Sequence, residues 1–218
     1  AHNLPKAAYQ QLTLSLDNRS LNYILDRIDP KHSHSARWNN KIRALAGLHP
    51  NFEINRSSLV GDIDHARDVI KSFFDKMTSN AHHHFNKDAK YSTKIIIDDL
   101  VEHFSPLESE LNSVKKSIHA IRNQIRKIRE DLLDIDETKE DFLELHQLFD
   151  RGESSLSDMI VLIDALTINQ NVEYVYWFEG VFKMVSGSTQ LVVTVNMAPI
   201  EPGNGLARSI FKPNDYCI

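Results

Sequence analysis

A seven-residue repeat of apolar side chains constrains the fold of this chain more than any other feature. The residues recur at alternating steps of four and three, in one long series and one shorter series before it, and a polar slot near Thr138 and Lys139 interrupts the long series once. A stripe this narrow cannot bury itself, so each helix that carries it needs a partner helix. The long series is Leu107, Leu111, Val114, Ile118, Ile121, Ile125, Ile128, Leu132, Ile135, Phe142, Leu145 and Phe149, and the short series is Leu59, Ile63, Ala66, Ile70, Phe73 and Met77.

The long series predicts one continuous helix over about 107–150, which at 1.5 Å per residue is about 64 Å long. Two matching stripes within one chain favour an intramolecular antiparallel helix pair over a dimer. Ser57 or Ser58 is expected to cap the helix of the short series. The segment 94–104 is expected to lead into the long helix.

Shorter segments complete the expected architecture. Alternation over 12–17 predicts a strand, followed by a helix that Asn18 or Ser20 caps and that stops near Ile28. The β-branched and aromatic residues of 172–178 and 190–197 predict a hairpin that turns at 186–188. We also expect short helices over 36–46, 156–169 (capped by Ser154 or Ser155) and 206–211, and a loop over 48–56.

Composition narrows the function. The net charge of −5 over 218 residues means that any nucleic-acid-binding surface has to be local. A single cysteine, Cys217, excludes an internal disulfide and a four-cysteine metal site within this sequence. The sequence contains no P-loop motif and no apolar run near the roughly 20 residues that span a bilayer. The low cysteine content fits an intracellular, reducing compartment.

Both ends of the sequence read as halves of longer motifs. Ala1-His2-Asn3-Leu4 resembles the second half of an Asp-Glu-Ala-His box followed by Asn-Leu. The stretch 197–218 resembles the segment before a Thr-Ser-Ala-Thr-Leu box, and Trp177 in a strand before it fits the same pattern. With a helical segment of suitable length between them, these motifs resemble the arch-domain region of XPD/DinG-like superfamily-two DNA helicases. We expect the sequence to be a piece of such a protein.

The resemblance implies a bacterial, cytoplasmic parent that takes part in DNA repair and uses ATP and magnesium to move 5′-to-3′ along single-stranded DNA. It implies a mainly α chain with a small β-hairpin or meander: a long antiparallel, coiled-coil-like arch on a mixed α/β base. Residues 1–56 would form the motor-proximal base, 57–169 the helical arch, and 170–218 the hairpin that returns to the motor domains. The expected partners are single-stranded or forked DNA and these motor domains, with no membrane, and the chain is expected to be a monomer.

The resemblance also bounds the activity of this chain. Only His2 remains of the Asp-Glu-Ala-His box, and the carboxylates that hold magnesium and position water in that box are absent from this sequence. The chain alone is therefore expected to hydrolyse no ATP and to contain no complete catalytic site. Iron–sulfur cysteines of the family lie upstream of that box, so a cluster in the parent stays an open question.

A basic block on the predicted long helix is the candidate DNA-binding site. Its six cations fall within 115–129 with no acid among them. Four of them, Lys115, Arg122, Arg126 and Arg129, are expected to lie beside the apolar stripe in solvent. The alternative is a solvated face that balances the acidic run of 130–144. The block consists of Lys115, Lys116, Arg122, Arg126, Lys127 and Arg129.

Two weaker features have competing explanations. The histidines of 82–84, with His65 and His103, suggest a metal-sensing site or simply an exposed polar loop, and no metal ligand is assigned. The aromatic residues of 174–178 suggest base stacking or packing. A stand-alone coiled-coil interaction module without a nucleic-acid role remains the alternative function.

Overall fold

The computed structural model describes residues 12–31, 50–87, 89, 91–133, 143–168, 173–185 and 187–201. Within them the chain is mainly helical, with one four-stranded antiparallel sheet, as the sequence predicts. Single 3-10 turns lie at His82–His84 and Ser105–Leu107. The elements are β1 (Leu14–Leu16), α1 (Asn18–Ile28), α2 (Pro50–Ala81), β2 (Thr93–Ile96), α3 (Leu100–Phe104), α4 (Glu108–Leu133), α5 (Leu143–Ile168), β3 (Tyr174–Val185) and β4 (Ser188–Pro199).

Helices α2 and α4 pack against each other in opposite directions. Near one end of the pair, Asn55 Nδ2 donates to Asp131 Oδ2 at 2.6 Å, and near the other end Lys76 pairs with Glu110. Every described side chain of both apolar series is buried. The prediction of an intramolecular antiparallel helix pair is therefore confirmed.

The prediction of one continuous helix over 107–150 is wrong. Helix α4 ends at Leu133, and α5 runs back along it. The evidence is that Arg129 of α4 contacts Asp150 of α5 at 2.7 Å. Within a single helix these residues would lie about 30 Å apart. Phe149 keeps its predicted place in the core, but it reaches that core from α5. The stripe alone cannot reveal the reversal, since its spacing is the same in two helices as in one.

Several helix boundaries also differ from the predictions. Asp17 caps α1 by accepting from Ser20 N at 2.9 Å, in place of Asn18 or Ser20. Helix α2 starts at Pro50, inside the expected loop, because proline suits a first helical position and Phe52 is buried. The predicted serine caps at 57–58 and 154–155 lie within α2 and α5. The predicted helices over 36–46 and 206–211 fall outside the described residues.

The sheet has the order β1-β4-β3-β2, and all neighbours are antiparallel. The predicted hairpin is confirmed: β3 and β4 turn through Gly187, whose φ of 83° favours glycine. Residues 93–96 form strand β2 on the free edge of β3 rather than the start of a helix. The sheet thus takes strands from all three segments that the sequence analysis separated at 57 and 170.

The two faces of the sheet have different neighbours. Tyr176 and Phe178 on β3 join the core with Val195 and Met197 on β4, and this face packs against the helices. On the opposite face Ser15 Oγ donates to Asn196 Oδ1 at 2.7 Å. Trp177 of β3 is the register partner of Asn196, so it lies on the same face. The predicted aromatic strand is therefore mainly a packing element.

Candidate nucleic-acid interface

The predicted basic block on α4 is split between two environments. Three of its cations face α5 and form ion pairs with it. Lys115 pairs with Asp164, and Arg122 Nη2 lies 3.6 Å from Glu153 Oε1. Arg129 contacts both Asp150, at 2.7 Å, and Glu153, at 2.8 Å.

These three side chains are only about 28–33% exposed, so the prediction that they stay in solvent is wrong for Lys115, Arg122 and Arg129. The physical reason is the antiparallel packing of α5, which brings its carboxylates opposite the basic side of α4. Carboxylates of the next helix therefore pair with these three cations. Residues 134–142 of the acidic run lie outside the described residues. In that run, Asp131 accepts a hydrogen bond from Asn55.

The other half of the block remains accessible. Arg126 is exposed on α4, as predicted, and Lys116 and Lys127 are exposed there as well. Arg126 donates to Asn123 Oδ1 at 2.9 Å, a contact within the same helix. These three side chains, called the α4 cations below, are the part of the predicted DNA-binding set that is free to meet a phosphate.

A second basic surface lies in a cleft between α1 and α5. The cleft has a volume of about 340 Å³, and three arginines, two serines and a tyrosine contribute to its walls. Its apolar walls come from Ile24, Ile28 and Leu148. We call Arg19, Arg27 and Arg151 the cleft arginines; all three are exposed.

The helices approach closely at the base of this cleft. A Cβ atom on Gly152 would lie 2.8 Å from Cγ2 of Ile28, inside contact distance. Glycine at 152 therefore lets α1 lie directly on α5. Sequence analysis missed the cleft, although Arg19, Tyr23 and Arg27 recur every four residues and so share one side of a helix.

The histidines gather where α2 ends. The ring centroids of His83 and His84 are 3.8 Å apart, and those of His84 and His103 are 5.5 Å apart. Partial burial lowers the pKa of His84, as do the neighbouring charges of His83 and His103, whereas Glu102 acts in the opposite direction. The pKa shift favours neutral imidazole.

The remaining candidate residues lie far from the histidine group or outside the described residues. His65 is exposed on α2, 17 positions before His82, or about 25 Å along the helix, so it does not join this group. In the described ranges, no three side chains among His, Cys, Asp and Glu are placed to share a metal ion. His2 and Cys217 lie outside the described residues.

Nothing in the described helices is both long and apolar enough to cross a membrane. Comparison of the chain with protein-family models and with curated proteins finds no match to either.

Proposed function

We propose that this chain is the arch region of an ATP-dependent, 5′-to-3′ DNA helicase of the XPD/DinG type. Its role there is to guide single-stranded DNA and to help separate the duplex. ATP and magnesium would be bound by the motor domains of the same parent chain, in the bacterial cytoplasm. The chain itself would contribute a rigid, partly basic projection.

One observation supports an inserted module above the others: the first and last strands that the structure describes are neighbours in the sheet. Leu14 of β1 is paired with Met197 of β4, and all the described helices lie between them in sequence. A domain inserted into another must leave from and return to nearly the same point. Adjacent antiparallel strands meet that requirement.

The helical part has a physical source of rigidity. Each CH₂ group that is buried along the two paired stripes contributes about 0.8 kcal/mol to stability, and this favours ordered helices. Ion pairs between α4 and α5 add a third helix to the assembly. Such a body suits a lever or wedge better than a flexible tether does.

The same pairing counts against the alternative coiled-coil interaction module. The described side chains of both apolar stripes are buried within one chain, so these side chains are not available to a partner helix. We therefore propose a monomer. Sedimentation velocity at 5 and 100 μM would show concentration-dependent association if the interaction module were correct.

The test of the proposal is binding of the full 218-residue chain to a fluorescent 5′-tailed DNA fork at 50 and 200 mM salt. If the chain contacts phosphates, its affinity should fall as the salt concentration rises. The logarithm of the binding constant should fall against the logarithm of the salt concentration with a slope of about 0.7–0.9 per neutralised phosphate. A chain that binds neither fork nor single strand at 50 mM salt would overturn the DNA-guiding role.

A triple Glu substitution of Arg122, Arg126 and Arg129 would be a poor probe of DNA contact. Two of these residues hold α4 to α5, so loss of binding would report on folding as well. The substitutions Lys116→Gln, Arg126→Gln and Lys127→Gln remove three charges without touching a described ion pair, and they test the α4 cations directly.

A further inference from the structure

We propose that the cleft between α1 and α5 binds a nucleotide unit of single-stranded nucleic acid. The cleft arginines would hold the phosphates, and Tyr23 would stack on a base. The inference rests on the proposed function, which supplies the single-stranded DNA. It places a DNA contact on α1 and α5 instead of on the predicted basic block of α4.

Charge is the first argument. Arg19, Arg27 and Arg151 form no ion pair or hydrogen bond within the described ranges, in a protein whose net charge is −5. Their sequence neighbours Asp26 and Asp150 do not neutralise them, because these carboxylates pair with other arginines. Three guanidinium groups therefore share one opening with no described acid to balance them.

The carboxylates next to the cleft are engaged elsewhere at short distances. Asp26 Oδ1 lies 2.8 Å from Arg67 Nη2, and Asp150 Oδ1 lies 2.7 Å from Arg129 Nη2. Both partners belong to other helices, α2 and α4. The packing of the bundle thus draws negative charge away from the cleft and leaves its arginines free for an anion.

Shape and chemistry narrow the class of anion. A volume of about 340 Å³ lies at the lower end of the range for ligand sites, which suits one nucleotide unit. Guanidinium groups bind phosphate through paired donors, and Ser20 and Ser155 add hydroxyl groups to the walls.

The aromatic residue separates a single strand from other polyanions. Tyr23 is 61% exposed, and the guanidinium carbon of Arg27 lies 5.8 Å from its ring centroid. An exposed ring beside arginines is a typical platform for an unpaired base. A duplex keeps its bases stacked on one another, and an acidic peptide would make no use of the ring.

The experiment compares three proteins for binding a fluorescent 12-nucleotide oligodeoxythymidine by anisotropy at 50 and 200 mM salt. They are the wild-type chain, the cleft variant Arg19→Gln/Arg27→Gln/Arg151→Gln, and the matched variant Lys116→Gln/Arg126→Gln/Lys127→Gln. Each variant removes three exposed positive charges. Unchanged circular dichroism and melting curves establish that both are folded.

The inference predicts that the cleft variant binds at least about tenfold more weakly and that its salt slope drops by about 2, or 0.7 for each lost phosphate contact. The matched variant should lose distinctly less. If the matched variant loses binding and the cleft variant keeps it, the cleft inference is overturned while the proposed function stands. If the wild-type chain does not bind at all, both are overturned.

A second comparison tests the stacking role of Tyr23. The variant Tyr23→Ala should bind oligodeoxythymidine about tenfold more weakly than the wild-type chain does. Both proteins should bind an abasic oligomer of the same length equally, because it offers phosphates without bases. An equal loss on both oligomers would overturn the stacking contact, since it would reflect a general structural effect.

Discussion

Arg129 on α4 and Glu153 on α5 form an ion pair with Nη1 and Oε2 2.8 Å apart, across 24 positions of sequence. Asp150 contacts the same guanidinium group at 2.7 Å. One arginine therefore joins two carboxylates on the helix that runs back along α4. Together with the Lys115–Asp164 pair near the other end, this relationship shows that α5 runs antiparallel to α4, and it engages the charge of Arg129 within the protein.

Substitution Arg129→Ala should lower the free energy of unfolding by about 1–2 kcal/mol, since it leaves Asp150 without its cation and Glu153 with only the longer contact to Arg122. The matched control is Arg126→Ala, three positions away on the exposed side of α4 and with no described ion pair. Urea denaturation of both variants measures the difference. Equal effects of the two substitutions would contradict the structural role of Arg129.

A buried acid at the end of α1 offers a larger effect. Asp29 is 2% exposed and lies 2.7 Å from Arg67 of α2. Burial by itself lowers the pKa of Arg67, but the hydrogen bonds with Asp29 and Asp26 outweigh it and raise that pKa, so the guanidinium group stays charged. Arg67→Ala should lower the free energy of unfolding by about 2–4 kcal/mol, because it leaves the buried carboxylate of Asp29 without its cation and with the hydrogen bond from Lys31 N.

The control for Arg67 is Lys31→Ala. Lys31 pairs with Asp64, but their side chains are 57% and 51% exposed, so that pair should contribute under about 1 kcal/mol. Thermal melting of the two variants separates the predictions. A melting temperature for Arg67→Ala as high as that of Lys31→Ala would show that Asp29 is not dependent on its partner.

Replacing glycine by alanine at two positions should change the free energy of unfolding in opposite directions. A Cβ on Gly180 would lie 2.4 Å from a ring carbon of Phe85, so Gly180→Ala should destabilise the chain by about 1–3 kcal/mol. Gly61 lies within α2, where an added Cβ would meet no atom within 4 Å, so Gly61→Ala should stabilise the chain by about 0.5–1 kcal/mol. Denaturant midpoints measure both, and a tolerated Gly180→Ala would count against the Phe85 contact.

The histidine group predicts a pH dependence. Because burial and neighbouring charges lower the pKa of His84 in the folded state, the unfolded chain binds more protons below the ordinary value of about 6.5. The contribution of His84 to stability therefore falls as pH falls from about 6.5 toward the folded-state pKa. The change should be modest, since His84 is exposed.

Proton NMR titration of the imidazole resonances measures the pKa of His84 directly. His103→Gln should raise that pKa toward its ordinary value, because it removes a positive neighbour at low pH. His84→Gln should reduce the loss of melting temperature between pH 7 and pH 5. A pKa of His84 that does not respond to His103→Gln would contradict the electrostatic coupling.

Local patterns in the sequence were enough to predict several parts of the fold. Alternation and turn residues indicated the β3–β4 hairpin and strand β1, since both depend on neighbouring positions. The boundaries of α2 and α5 were not predictable in this way: Pro50 falls in an expected loop and Gly152 between two predicted helices, but both lie in helices. Tertiary packing outweighs local preference at these positions, as the contact of Gly152 with Ile28 shows.

The apolar periodicity by itself determined that the described side chains of the two series belong to the core, because burial of a stripe follows from helical spacing alone. Only the tertiary structure decided which cations remain in solvent. Arg126 and Arg129 look equivalent in the sequence, but Arg129 faces carboxylates of α5 whereas Arg126 faces water. The physical reason is that ion pairs between helices depend on chain reversal and relative register, and a seven-residue repeat encodes neither.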